Sequence, residues 1–173
     1  STGVYYDVRK AHPYLVYDRM DFEVPLGERG DNYDRYLVRM EEMRQSMRIV
    51  EQALRQIPEG PINISDPSVV LPPKEEVYGN KGGSIEGLMR HFKIIMEGIM
   101  PPKGEVYFPV EAGNGELGFY IVSNGSGRPY RVRVRPPCFL ILQGLPRMIT
   151  GGLVADIIAT FGMINMIAGE NDR

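Results

Sequence analysis

Between Gly104 and Arg135 apolar and polar residues alternate with a period of two, broken twice by turn residues. Val106, Phe108 and Val110 alternate with Glu105, Tyr107 and Pro109; Leu117, Phe119 and Ile121 form one face of a second run; Tyr130, Val132 and Val134 alternate with Arg131, Arg133 and Arg135. Period-two patterning marks half-buried strands. Asn114-Gly115 separates the first two runs and suits a type I′ turn, with positive φ at both central residues. Asn124-Gly125-Ser126-Gly127 separates the last two. The pattern predicts a three-stranded antiparallel meander near 105–110, 117–123 and 130–135. One face is apolar, for helices to pack on, and the other polar or basic.

Elsewhere the period changes to that of a helix. Tyr33, Leu37, Met40, Met47, Val50, Leu54 and Ile57 recur at helical spacing, predicting a long helix over 31–57 that Asp31 caps and Pro58-Glu59-Gly60 stops. Met40, Met43 and Met47 suit either a soft ligand surface or adaptable core packing, and the second reading is preferred. Ser84 caps a second helix over 84–100, with Ile85, Leu88, Phe92, Ile95 and Ile99 on one face and Pro101-Pro102 at its end. His91 on this helix reads as a packing residue. A last helix is expected from about Gly151 to Phe161, after a connection containing Pro146, within a terminal segment over 151–173. Residues 4–30 read as irregular, with Asp21–Pro25 as a candidate edge strand and the aromatics covered by other structure. Five prolines between Pro58 and Pro73 predict an extended connection, continuing as a Pro/Gly-rich stretch over 58–83. These elements make an α+β chain, residues 1–173, with helices packed on the meander.

Composition narrows the chemistry. A formal charge of −2 gives no electrostatic case for nucleic acid. One cysteine, Cys138, excludes an internal disulfide, suggests a reducing compartment, and cannot hold an iron–sulfur cluster alone. The two histidines, His12 and His91, are distant and offer no zinc spacing, so no metal is expected. Gly113–Gly118 matches the letters G-x-G-x-x-G, but a strand follows where a dinucleotide-binding turn needs a helix, so no nucleotide is expected there. Gly79–Gly83 lacks the order of a phosphate loop. Arg128, Arg131, Arg133 and Arg135 form an anion site, a solvent face or a partner surface. No secretory signal opens the sequence. The apolar run 153–168 is interrupted by Asp156, Gly162 and Asn165, short of a membrane span. A soluble or peripheral protein is expected, and the absence of an initiating methionine suggests a shortened chain.

The words themselves resemble a family. VPLGERGDNYDRYLVRMEEMRQSMRIVEQAL, MRHFKIIMEGIMPPKGEVYFPVEAGNGELGFYIVSNGSGRPYRVRVRPPCF and the ending GENDR are similar to the C-terminal part of the forty-nine-kilodalton subunit of NADH–quinone oxidoreductase, respiratory complex I. The resemblance runs through essentially the whole chain, in order. It implies the C-terminal part of a fold like that of the large subunit of nickel–iron hydrogenases, with the metal lost. The hydrogenase C-terminal cysteine pair is missing here.

The implied function is that of a core peripheral-arm subunit of a proton-translocating complex, inactive as an isolated chain. Quinone is reduced in a chamber beside an iron–sulfur cluster on a neighbouring subunit, and the membrane arm pumps protons. Implied partners are the other complex I subunits, especially the iron–sulfur subunit and the membrane arm, with quinone as substrate and no cofactor bound by this chain. The implied location is peripheral, on the cytoplasmic face or its organelle equivalent. The donor, whether NADH, reduced deazaflavin or ferredoxin, is oxidised elsewhere. The family commonly ends in a motif like V-F-G-E-V-D-R beside the quinone. The matching positions are Ile167, Ala168, Gly169, Glu170, Asn171, Asp172 and Arg173, with Ala168 in place of phenylalanine and Asn171 in place of valine. Ile167, Ala168, Gly169, Asp172 and Arg173 are therefore the candidate quinone-lining residues. The alternatives are a relative of the large subunit of a membrane-bound hydrogenase, or a non-catalytic assembly scaffold.

Overall fold

Asp31 starts the longest helix, α2 (Asn32–Gln56): its side chain accepts the N–H of Asp34 at 2.7 Å. Asp34 reaches back to the N–H groups of Gly30, at 3.1 Å, and Arg29, at 3.2 Å, so two carboxylates occupy the positive end of the helix. The Gly30 N–H above all holds the Asp34 carboxyl below its ordinary value. Pairs three and four residues apart run along α2, including Arg44–Glu41 at 2.8 Å and Arg39–Glu42 at 2.9 Å.

The computed structural model describes residues 1–78 and 83–172, which fall into two units. The first comprises 1–57, 108–118 and 134–173. In it α2 packs along α7 (Asp156–Ile164), joined by a hydrogen bond from Asn32 Nδ2 to Thr160 Oγ1 at 3.2 Å; α7 packs on α6 (Leu145–Ile149), and α6 on α5 (Pro137–Gln143). The segment before α2 holds a short helix, α1 (Val8–Ala11), and a single turn at Tyr17–Arg19. Val8 and Phe22 are fully buried there, whereas Tyr5 and Tyr6 are exposed, so the expected covering of the aromatics holds only in part.

The second unit comprises 58–107 and 119–133. Its helices α3 (Lys74–Tyr78) and α4 (Ile85–Met96) pack together, with Tyr78 edge-on to His91 at 6.1 Å. Ser84 caps α4 as expected, accepting the Gly87 N–H at 2.8 Å. Strands β1 (Gly104–Ala112), β2 (Gly115–Ser123) and β3 (Arg131–Arg135) form one sheet in the order β1-β2-β3. The loop before β3 passes so close to the end of α4 that a Cβ on Gly127 would lie 1.5 Å from the Glu97 carbonyl oxygen.

Several expectations fail for identifiable reasons. Asp21–Pro25 forms no strand: Gln52 and Gln45 of α2 accept the Asp21 and Glu23 N–H groups at 2.8 and 3.0 Å, and Gln52 also donates to the Asp21 carbonyl. Residues 4–30 are not wholly irregular, because Asp7 caps α1. Helix α4 stops at Met96, where Gly98 takes φ +75°, before the two prolines are reached. The connection around Pro146 is instead two helices, since Pro137 and Pro146 stand in the first turns of α5 and α6, where a missing N–H is harmless. The final helix begins at Asp156 and not Gly151, which takes φ +87°. The turn is not type I′: Gly115 has φ +128° but Asn114 does not have positive φ. The Gly113–Gly118 stretch is a hairpin leading into β2, in line with the sequence pattern. Most of Gly79–Gly83 lies outside the described residues.

The apolar faces are far less buried than their periodicity predicts. No residue of α2 is buried, and Leu37, Met43, Met47, Val50 and Leu54 are exposed. The core-packing reading of Met43 and Met47 fails within this chain. Ile85, Leu88, Phe92 and Ile95 of α4 are likewise exposed, as are Val106, Phe108, Val132 and Val134 of the strands. Periodicity reports a face that favours burial, not what buries it.

Removing the α2 cap tests the first element. Asp31→Ala should lower the unfolding free energy by about 1 kcal/mol, while Asp31→Asn should retain most of it. Urea titration followed by far-ultraviolet circular dichroism measures both.

Candidate functional site

A cleft of about 720 Å³ lies within the first unit, between α1, the segment 23–26, α2, the β1–β2 hairpin and the α5–α7 region. Apolar side chains of Leu26, Val38, Ile141, Met148, Met163 and Ile164 share its lining with Asp7, Arg9, Arg39, Glu42, Glu111 and Glu116. Most of these charges are paired. Arg9 grips Asp7 through Nε at 3.0 Å and Nη2 at 2.7 Å, and stacks over the Phe22 ring at 4.8 Å. The hydrogen bond to Asp7 raises the Arg9 pKa despite the opposing effect of burial. Glu42 pairs with Arg39, and Glu116 takes the Tyr6 hydroxyl and Arg135.

Glu111 differs. Its backbone N–H donates to the Tyr14 hydroxyl at 3.0 Å, but no donor among the described residues hydrogen-bonds its carboxylate. Burial pushes its carboxyl above the ordinary range, and the charges of Asp7, Glu42 and Glu116 push it further while Arg9 opposes them. A half-buried carboxyl among like charges favours its proton. Among the described residues no group of three or more His, Cys, Asp or Glu is placed to hold a metal ion.

The C-terminal segment meets this cleft at one edge. Asn114, at the hairpin tip, is 7% exposed and lines the cleft. Its Nδ2 donates to Cys138 Sγ at 3.2 Å, and its Oδ1 accepts from Asn165 Nδ2 at 2.8 Å. Cys138 Sγ also accepts the Ile167 N–H at 3.3 Å, and the Cys138 N–H donates to Glu170 Oε2 at 3.0 Å. Helix α5 has no capping side chain of its own, because Pro136 occupies the cap position; Glu170 supplies one from the tail. Asn165 ends α7 at φ +53°, a left-handed conformation that asparagine tolerates.

Of the sequence-derived candidates, Ile167 is held at Cys138 by its backbone while its side chain is half-exposed. Ala168 and Gly169 form a single helical turn with Glu170 and are exposed, as is Asp172. Arg173 lies outside the described residues. None of the described tail candidates is among the residues lining the cleft, which reaches Ile164. Sequence reading misses Asn114, Cys138 and Asn165 as a group. Asn114 reads only as a turn residue, Cys138 only as a lone thiol, and Asn165 only as a break in an apolar run.

This tail-to-hairpin arrangement sits in a chain whose residues 1–173 match the model of the family described as "Respiratory-chain NADH dehydrogenase, 49 Kd subunit". The chain belongs to that family. It is 64% identical to an NADH-quinone oxidoreductase subunit of Sorangium cellulosum over 174 residues, covering all of this chain and 42% of that protein. Identity is 61% with an NADH-quinone oxidoreductase subunit of Myxococcus xanthus and 58% with one of Bdellovibrio bacteriovorus. The whole chain is covered in both, and 41% and 30% of those proteins. The chain thus spans about two fifths or less of the length of these relatives. Among the described residues no helix is long and apolar enough to cross a membrane.

Two outcomes follow. A raised carboxyl pKa in the folded state stabilises the fold below the unfolded carboxyl pKa, and that contribution is lost as pH rises through the folded value. Glu111→Gln should therefore flatten the decline of stability above the acidic range, seen as a melting-temperature difference from wild type that grows with pH. Asn171 offers the second. Its Nδ2 contacts Met166 Sδ, and its Oδ1 is buried with no partner among the described residues. An orphaned polar atom costs about 1–3 kcal/mol, so Asn171→Val should stabilise the chain, measured by urea titration.

Proposed function

We propose that this chain is the C-terminal part of a core peripheral-arm subunit of a proton-translocating NADH:quinone oxidoreductase, and that its C-terminal segment helps form the chamber in which quinone is reduced. The match of all 173 residues to the family carries the reading. In the proposed assembly this chain binds no redox cofactor. Electrons arrive from an iron–sulfur cluster held by a neighbouring subunit, and the membrane arm couples the reduction to proton movement. The fold of the whole subunit would be like that of a hydrogenase large subunit without its metal.

The local chemistry is compatible with that role. A cleft of about 720 Å³ is within the usual ligand-pocket range of about 300–1,000 Å³. Methionine, leucine and isoleucine side chains share this wall with many charged groups, most of them paired with one another, so a headgroup with two carbonyl oxygens would meet both apolar surface and fixed polar groups. Ile167, Ala168 and Gly169 lie outside the lining of this cleft and would join the chamber only in the assembled complex, where Asp172 and Arg173 would be fixed by partners. The exposed apolar faces of α2 and α4 support a chain that functions inside a larger assembly. They fit a scaffold role too, which activity measurements separate.

The test is made in the intact complex. Asp172→Asn should lower quinone reductase activity while electron transfer to an artificial upstream acceptor is kept. Ala168→Phe should alter inhibitor sensitivity more than assembly. If removing the final residues leaves quinone reduction and inhibitor binding unchanged, the tail has no part in the chamber.

A further inference from the structure

We propose that Asn114 is a positioning residue: its buried amide locks the tail, from Asn165 onward, onto the tip of the β1–β2 hairpin and so sets the tail's register against the cleft. The inference rests on the reading of the tail given above, but its structural part is tested separately.

Asn114 bridges two elements that the chain connects only at long range. Its amide nitrogen reaches Cys138 in α5, and its oxygen receives the amide of Asn165 at the end of α7. Cys138 in turn holds the first tail N–H, that of Ile167. The side chain therefore holds one end of a three-residue turn, 165–167, directly and meets the other through Cys138, where the chain is redirected from α7 into the tail. Asn165 is in the left-handed region, so this turn is less favoured than one built on ordinary φ values. The Asn114 bond is what holds its side chain in place. Since Asn114 and Ile164 also line the cleft, a shift of the hairpin tip moves the cleft wall and the start of the tail together.

Apolar packing is too sparse here to fix the register instead. Cys138 and Ile164 are buried, but Ile167 is half-exposed and Ala168, Gly169 and Asp172 are exposed. The directional bonds of Asn114, Cys138 and Glu170 remain. A buried amide left without partners is disfavoured, so the arrangement that satisfies Asn114 is selected over slipped ones.

Two readouts on the assembled complex separate this proposal from the functional reading. The first is hydrogen–deuterium exchange of the tail amides, Ile167 to Asn171. Asn114→Ala should raise their exchange about fivefold to tenfold, the equivalent of one net hydrogen bond. Asn165→Gly, which relieves the φ strain but removes the amide, should raise it similarly. The double variant should show less than the product of the two effects, because both break one bond. The second readout is steady-state kinetics: Asn114→Ala should raise KM for quinone several-fold with kcat and artificial-acceptor activity kept.

Unchanged tail exchange in both single variants overturns the lock. Raised exchange with multiplicative effects also overturns it, since the residues would then act independently. Raised, sub-multiplicative exchange with unchanged KM supports the lock and counts against the quinone-chamber reading. If Asn114→Ala does not assemble, Asn165→Gly alone decides by the same exchange measurement.

Discussion

A buried amide has to be satisfied on every side, and Asn114 is satisfied only if the hairpin tip, α5 and the end of α7 come together. That constraint organises the C-terminal half of the first unit. The cap position of α5 holds Pro136 and its first helical position Pro137, so Cys138 presents an early unsatisfied N–H. Glu170 takes it from the tail, and the thiol beside it takes Ile167. One cysteine thus serves as donor through its backbone and acceptor through its sulfur. The tail is tied down by polar geometry more than by packing, which is why a single amide can set its register.

The local elements are legible in the sequence. Asp31 and Ser84 are readable as caps because a short oxygen-bearing side chain before an apolar period has few other uses. The three strands are readable because period two with β-branched residues has no helical counterpart. What escapes depends on contacts distant in sequence. The Gln52 and Gln45 bonds that replace a strand ladder at Asp21 and Glu23 join residues far apart in the chain. The hairpin turn departs from type I′, and the side chain of Asn114 is bonded to Cys138 and Asn165, contacts that no local pattern reports. Prolines 137 and 146 read as breakers, whereas position within the first turn makes them starters. Of the candidate site, the family resemblance marks the tail but no local pattern marks its anchor.

The apolar stripes of α2 and α4 carry a second argument. Burying a large aliphatic or aromatic side chain contributes about 1.5–3 kcal/mol. Leu37, Val50 and Leu54 alone, all exposed on α2, represent a substantial unrealised contribution beside a typical domain stability of about 5–15 kcal/mol. In the proposed assembly these faces would be covered, and the stability of this segment would belong to the assembly. Elements tied by polar bonds, such as the tail, would then keep their register while the helices gain their packing.

Electrostatics in the cleft follows from how Arg9 is committed. A bidentate grip on Asp7 fixes the guanidinium, and Phe22 covers one of its faces. Arg9 can oppose the effect of Asp7 on Glu111 only at a distance, without a hydrogen bond. Were Arg9 free to pair with Glu111, that carboxyl would move down. The arrangement therefore leaves Glu111, on the hairpin strand a few residues from the amide that holds the tail, with its carboxyl pushed upward by burial and like charge. A group that keeps its proton can donate a hydrogen bond that a carboxylate cannot. In the proposed chamber, the protonation state of Glu111 would set whether the β1 wall offers a carbonyl oxygen a donor or a negative charge.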